Sequence, residues 1–147
     1  MKPVLKFKKL DPRAEIPKYQ TAGAAGMDVS VILDASVFLD PGTAVTLRTG
    51  LAVEIPEGYE IQVRPRSGLA FKHGLTIANS PGTLDSDWRG ENLLRIVNHS
   101  QETFTISHGM RMAQFVLAPV QQADIVEVDE LSETERGEKG FGHTGLK

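Results

Sequence analysis

Bulky apolar side chains return at every second residue along much of this chain, and that period restricts the fold more than any other feature. In Leu51-Ala52-Val53-Glu54-Ile55 the large apolar residues take the odd positions, and Tyr59, Ile61 and Val63 alternate with Glu60, Gln62 and Arg64. Successive side chains of an extended chain point to opposite faces, so this alternation predicts half-buried strands. Further strands are expected at Ala44 to Leu47, Leu93 to Val97, Thr103 to Ile106, Gln114 to Leu117 and Ile125 to Val128. Turn chemistry separates them, at Asp40-Pro41-Gly42, Pro56-Glu57-Gly58 and Ser107-His108-Gly109. One short helix is expected around Gly68 to His73. Many short strands at this spacing predict an all-β domain of the sandwich, barrel or jelly-roll kind.

At 147 residues the chain is one domain by length, large enough to bury a core without disulfides. It has no cysteine, which excludes a disulfide framework and a thiolate metal site. The net charge of −3 disfavours duplex nucleic acid, whose binding rests on phosphate neutralisation. No apolar run approaches the length of a bilayer span and no apolar leader opens the sequence, so a cytoplasmic protein without a membrane partner is expected. A small anionic ligand stays within reach, because a few local cations and backbone N–H groups suffice for it.

The composition changes at Ser132. From there to Lys147 the chain has four glycines (Gly137, Gly140, Gly142, Gly145) and, before Leu146, a single large apolar side chain, Phe141. Such a stretch cannot bury enough apolar surface to fold alone. Residues 1–131 are therefore expected to form the core domain, and 132–147 a flexible glycine-rich tail. A frayed terminus is one reading of it. The other is a ligand-closing tail, because Arg136, Lys139, His143 and Thr144 are phosphate-competent donors set among glycines.

Two internal segments carry chemistry. In Arg64-Pro65-Arg66-Ser67-Gly68-Leu69-Ala70 a strand ends at the proline and Ser67 is expected to cap the short helix. Arginines, a hydroxyl and a glycine at a helix start favour an anion; a solvated turn with surface arginines fits as well. In Asn79 to Gly90, Ser80-Pro81-Gly82 reads as the turn of a hairpin between core strands. Asp85 and Asp87 follow beside Trp88, the only tryptophan. On a strand they would share a face, where one carboxylate could orient a water as general base. An Asx-rich turn with a packing tryptophan is the plainer reading. The four histidines show no metal-ligand spacing, and neither a G-x-S-x-G elbow nor a P-loop occurs.

Taken together, five segments resemble, in order, the motifs of the trimeric dUTPase family. They are Ala24-Ala25-Gly26-Met27-Asp28-Val29, Pro65 to Ala70, Gly82 to Gly90, Gly109-Met110-Arg111-Met112-Ala113-Gln114 and Arg136 to Gly145. The resemblance implies a dUTPase-like jelly roll of the β-clip type, with one short helix and the tail closing over the active site. It implies hydrolysis of dUTP to dUMP and pyrophosphate, which keeps uracil out of DNA and supplies dUMP for thymidylate synthesis. Asp85 would be the general base for water attacking the α-phosphorus, and Asp28 would reach Mg2+ through water. Arg66, Ser67, Gly68 and Gln114 would hold phosphates, with Arg136, His143 and Thr144 from the tail. Asn79 and the backbone of Gly82, Thr83 and Leu84 would read the uracil edge and exclude a C5 methyl, and Phe141 would stack on the ring. The active sites would be shared between the subunits of a homotrimer.

The match departs from the family at Trp88, which stands where a tyrosine usually packs on the deoxyribose and rejects a 2′-hydroxyl. An indole offers the same kind of steric wall. Met27 and Met112 replace other apolar residues at motif positions, a volume-tolerant swap. Two rivals share the pocket chemistry: a dCTP deaminase-like relative of the same fold, and a nucleotide-binding regulator without turnover. Asp85 and the complete fifth motif favour the diphosphatase.

Overall fold

The computed structural model describes residues 1–140. Eleven strands and one helix follow each other as β1 (Lys6–Lys9), β2 (Met27–Ser30), β3 (Val37–Leu39), β4 (Ala44–Arg48), β5 (Leu51–Glu54), β6 (Tyr59–Pro65), α1 (Ser67–His73), β7 (Leu75–Ile77), β8 (Gly82–Leu84), β9 (Leu93–Asn98), β10 (Phe104–Ile106) and β11 (Arg111–Pro119). They form a four-stranded sheet β2-β11-β6-β8, a three-stranded sheet β4-β9-β7, and the pairs β1-β5 and β10-β3. Every pairing is antiparallel. The architecture is the expected all-β jelly roll with one short helix. No helix among the described residues is long and apolar enough to cross a membrane.

The period-two pattern does what its physics requires. Ile61 and Val63 on β6, Leu94 and Ile96 on β9, and Leu51 and Val53 on β5 all point inward and are buried. All of these but Leu51 meet Val29, Leu47, Leu75, Ile106 and Phe115 in one core. Each such side chain contributes about 1.5–3 kcal/mol on leaving water, so the inward set fixes the register. Met27 and Met112 are buried in the same core.

Three expectations need correction. The helix is not capped by Ser67: Arg66, with φ −82° and ψ 131°, is the N-cap, and no side chain bonds the first-turn N–H groups. The reason is that the pairing of β6 with β11 ends at Pro65 opposite Ala113, so Arg66 is the last extended residue and the helix begins one residue earlier, at Ser67. At the other end Gly74, at φ 63°, takes the left-handed conformation and donates its N–H to the Ala70 carbonyl at 3.1 Å. Second, Ser80-Pro81-Gly82 turns the chain but makes no hairpin, because β7 pairs with β9 and β8 with β6. Third, Ile125 to Val128 forms no strand. Ile125, Val126 and Val128 are exposed, and no strand among the described residues pairs with that segment.

Ser30, Thr49, Asn92 and Asn98 are the buried polar residues among the described ones, and Asn92 differs from the rest. Asn92 is 2% exposed, and among the described residues neither its Nδ2 nor its Oδ1 has a hydrogen-bond partner. Its backbone is satisfied, donating to Leu51 O at 2.8 Å and accepting the Thr49 hydroxyl at 2.6 Å. An orphaned buried amide costs about 1–3 kcal/mol, so Asn92→Leu, similar in shape, is expected to raise the unfolding free energy by that order, seen as a higher urea midpoint. A lowered midpoint would mean that a buried water serves the amide.

Candidate active site

The register of the four-stranded sheet assembles the first cluster. Asp28 on β2 lies opposite Gln114 on β11, and Gln114 lies opposite Arg64 on β6. Arg66, just past the end of β6, is thereby delivered to the same end of the sheet. Its Nε stands 3.2 Å from Asp28 Oδ1, and Arg111 Nη1 stands 3.3 Å from Oδ2. Gln114 Nε2 also donates to Oδ1, at 3.3 Å. The Asp28 side chain is only 7% exposed, so two guanidiniums and an amide replace the water it has lost. Arg66 Nη1 donates to the Arg111 carbonyl at 3.1 Å, which leaves both Nη2 hydrogens for an anion. Ser67 and Gly68 are exposed at the start of α1, beside this cluster.

The structure thus joins residues from three separate segments and adds one that sequence reasoning missed. Arg111 was visible only as a letter inside a motif; its part is set by a bulge between Arg111 and Ala113 that breaks the β11 register. Gly26 has a related part, because a Cβ there would come 3.3 Å from the Gln114 side chain.

The second cluster lies along β8 and the loop beyond it. Asp85 does not lie on a strand, so it and Asp87 share no strand face. β8 ends at Leu84, and the Trp88 N–H donates to the Asp85 carbonyl at 3.2 Å, closing a turn. Asp85 is exposed and lines two clefts at once. One, of about 560 Å³, is bounded also by Thr83, Leu84, Trp88, Asn92 and Leu93. The other, of about 870 Å³, runs under Glu57, Tyr59, Glu60 and Arg89. Trp88 is half exposed at the rim of the first. Asn79 is exposed, its Nδ2 lying 3.1 Å from where a Gly82 Cβ would stand, so glycine allows the amide to rest on β8.

The two clusters do not meet within one chain. Leu84 pairs with Ile61, which sets Asp85 level with Glu60, whereas Arg66 follows the opposite end of β6. At about 3.3 Å per residue the two lie roughly 20 Å apart. Arg136 is exposed and donates from Nε to the Lys139 carbonyl at 2.8 Å. Phe141, His143 and Thr144 lie outside the described residues.

No group of three or more His, Asp or Glu side chains gathers into a metal-ligand set among the described residues. Asp28 offers a carboxylate beside the donors of Arg66, Arg111 and Gln114. That donor chemistry suits magnesium, which keeps most of its waters and takes phosphate oxygens. A carboxylate has about four acceptor directions, so Asp28 can accept from a metal-bound water while it holds its three partners.

Asp28→Asn leaves Arg66 and Arg111 facing each other across a neutral amide. It is expected to lower stability by roughly 1–2 kcal/mol, discounted because both arginines keep part of their hydration. Urea unfolding at low and high salt checks this. An unmoved midpoint at low salt would show that the carboxylate does not stabilise the cluster.

The family model for dUTPase matches residues 12–145. The deoxyuridine 5'-triphosphate nucleotidohydrolase of Nautilia profundicola is 58% identical over 141 residues, covering 96% of this chain and 98% of that protein. That of Desulfotalea psychrophila is 58% identical over 131 residues, covering 89% and 87%. Among solved structures, the dUTPase of Staphylococcus bacteriophage 80alpha with dUPNHPP superposes with a TM-score of 0.87 at 29% identity, over 97% of this chain and 99% of that one. A mutant dUTPase from phage phi11 of S. aureus, described for its coordination of a structural Mg(II) ion, superposes with a TM-score of 0.77 at 25% identity, over 86% and 97%. With the model spanning nearly the whole chain and relatives this similar along their full length, the chain belongs to the dUTPase family.

Proposed function

We propose that this chain is a dUTP diphosphatase, converting dUTP to dUMP and pyrophosphate in sites shared between the subunits of a homotrimer. The observation that carries the proposal is the exposed Asp85 carboxylate at the junction of two clefts, with Trp88 beside it. The nucleotidohydrolase relatives and the dUPNHPP held by the phage 80alpha enzyme support the substrate.

In this reading Asp85 orients a water and takes its proton as the oxygen attacks the α-phosphorus. The bond from that phosphorus to the bridging oxygen breaks, and pyrophosphate leaves. Arg66, the Ser67 hydroxyl, the Gly68 N–H and Gln114 hold the phosphates and stabilise the charge on them. Asp28 would hold magnesium through water; when bound, the ion offsets triphosphate charge and orients the α-phosphate. The structural Mg(II) of the phi11 enzyme supports a metal in the family without fixing its place here. Asn79 and the backbone of Gly82, Thr83 and Leu84 read the uracil edge, and Trp88 walls off the sugar's 2′ position. The tail, residues 132–147, closes over the site, with Phe141 on the uracil and Arg136, His143 and Thr144 on the terminal phosphates. Its ordering costs conformational entropy, which those contacts offset while excluding water.

The separation of the clusters supports the homotrimer. A general base acts within hydrogen-bond reach or through one water, so residues roughly 20 Å apart in one chain cannot serve one α-phosphate. Copies of the chain supply the missing half. The exposed apolar run at Ile125, Val126, Val128 and Leu131 supports association as well. The product dUMP then serves thymidylate synthesis, and removal of dUTP keeps uracil out of DNA.

Pyrophosphate release from dUTP, dTTP, dCTP and UTP, each with magnesium and with chelator, tests the reading. Magnesium-dependent release from dUTP alone is expected; ammonia release from dCTP, or binding without release, would replace it with a deaminase or a regulator. Asp85→Asn is expected to bind dUTP near normally with turnover reduced by at least about 10²-fold, the usual worth of a positioned base; retained turnover would defeat that assignment. Trp88→Ala is expected to raise activity on UTP relative to dUTP, and an unchanged ratio would remove the sugar-wall role.

A further inference from the structure

Gly90 lies two residues beyond Trp88, and its backbone does not explain why it is glycine. Unlike Gly58 and Gly74, it is not among the glycines with positive φ, so an L-residue could adopt its conformation. What a side chain would meet there is the tryptophan. A Cβ on Gly90 would stand 2.7 Å from Trp88 Cη2 and 2.8 Å from Cε2, and closer still to Cζ2. Carbon atoms in contact settle at about 3.5–4.0 Å, so the indole occupies the space that any side chain at position 90 would need.

The loop around this contact is held at several points. The Arg89 guanidinium donates from Nη1 to the Ser86 carbonyl at 2.7 Å and to the Trp88 carbonyl at 2.9 Å. On the far side, Glu91 Oε1 accepts from Arg48 Nε at 3.0 Å and from the Gly50 N–H at 2.9 Å. On the near side, Leu84 is paired with Ile61. With the backbone tied before and after, a collision at Gly90 is relieved by moving the indole.

We propose that Gly90 is a specificity-determining positioning residue: its bare Cα is the seat on which the Trp88 ring rests as the wall of the deoxyribose site. The proposal rests on the reading of Trp88 as that wall and adds what fixes the wall's place. Gly90→Ala unseats the ring by about the width of a methyl group. The consequence falls on binding and on sugar discrimination more than on the attack of water, because the backbone of the turn that carries Asp85 is held by the Trp88 N–H and by Arg89. One methyl in a tight pocket is worth about 10- to 200-fold in discrimination.

Trp88 is the only tryptophan, so the protein's intrinsic emission reports this ring directly, without nucleotide and without turnover. The test compares the full-length wild type, Gly90→Ala, Trp88→Ala and the double variant Trp88→Ala/Gly90→Ala. For Gly90→Ala the expected results are a red-shifted emission, a KM for dUTP raised about tenfold, a kcat within about threefold, and a dUTP-over-UTP preference reduced about tenfold. In the Trp88→Ala background, the same Gly90→Ala change is expected to alter neither KM nor preference. An unshifted emission with unchanged preference would overturn the seat. An equal loss in both backgrounds would also overturn it, placing the glycine's role in the backbone. If Gly90→Ala fails to fold, recovery of folding in the double variant supports the seat, and failure in both overturns it. A wild type that released no pyrophosphate from dUTP would defeat the functional reading, while the emission shift would still decide whether Gly90 seats the ring.

Discussion

Strand β6 is hydrogen-bonded along both edges, to β11 from Tyr59 to Pro65 and to β8 from Ile61 to Val63. With Ile61 and Val63 in the core, a slip of one residue would turn both to the solvent face, so burial locks the register. The site's geometry follows from that lock. Arg66 leaves β6 at the end where Asp28 and Gln114 stand, and Asp85 leaves β8 at the other. A single strand therefore holds an anion-facing cluster and a base-bearing turn at a fixed separation, and in the proposed homotrimer those two halves would belong to different sites. The proposed sharing of sites between subunits would then rest on sheet pairing alone.

The electrostatics of the two halves differ in the same direction as their proposed tasks. Around Asp28, three donors surround a carboxylate that has lost most of its water. Removing any one partner from such a cluster leaves the others undercompensated, which makes it rigid and intolerant of change. Asp85 has the opposite setting: it is exposed, and only its carbonyl is tied, to the Trp88 N–H. A base that must take up and release a proton is better served by an accessible carboxylate than by one clamped between cations. Preorganisation in this molecule lies in the backbone of the turn and leaves the carboxylate's own contacts free for water.

Periodicity made the fold legible, because alternation reports burial directly: β4, β5, β6, β9, β10 and the centre of β11 fall where the apolar residues alternate. Of the strands of three or four residues, β5 and β10 were legible and β7 and β8 were expected only as arms of a turn, while β1, β2 and β3 escaped, since a segment that short offers few alternations to read. Ile125 to Val128 failed for the complementary reason. Its pattern is that of a strand, but alternation says only that one face avoids water and cannot name the edge that pairs with it. The hairpin at Ser80-Pro81-Gly82 failed likewise: turn residues show that the chain reverses, and only β6 and β9, distant in sequence, decide which sheet each arm joins. The candidate residues were legible through family resemblance and chemical type. Arg111, which faces Asp28 beside a bulge, and the separation of Arg66 from Asp85 within one chain were not, since both depend on register.

Gly90 shows how far a motif letter can mislead about cause. Glycine within a loop invites an explanation by backbone freedom, and at Gly74 that explanation holds, with φ at 63° closing the helix. At Gly90 the backbone has no such need, and the glycine answers to a ring two residues earlier. The two residues then form one unit, since an aromatic wall is useful only if its plane is fixed, and an indole on a half-exposed rim has too few neighbours to fix itself. The indole fills the space that a side chain at position 90 would need, so the constraint on that position is set by what stands at position 88.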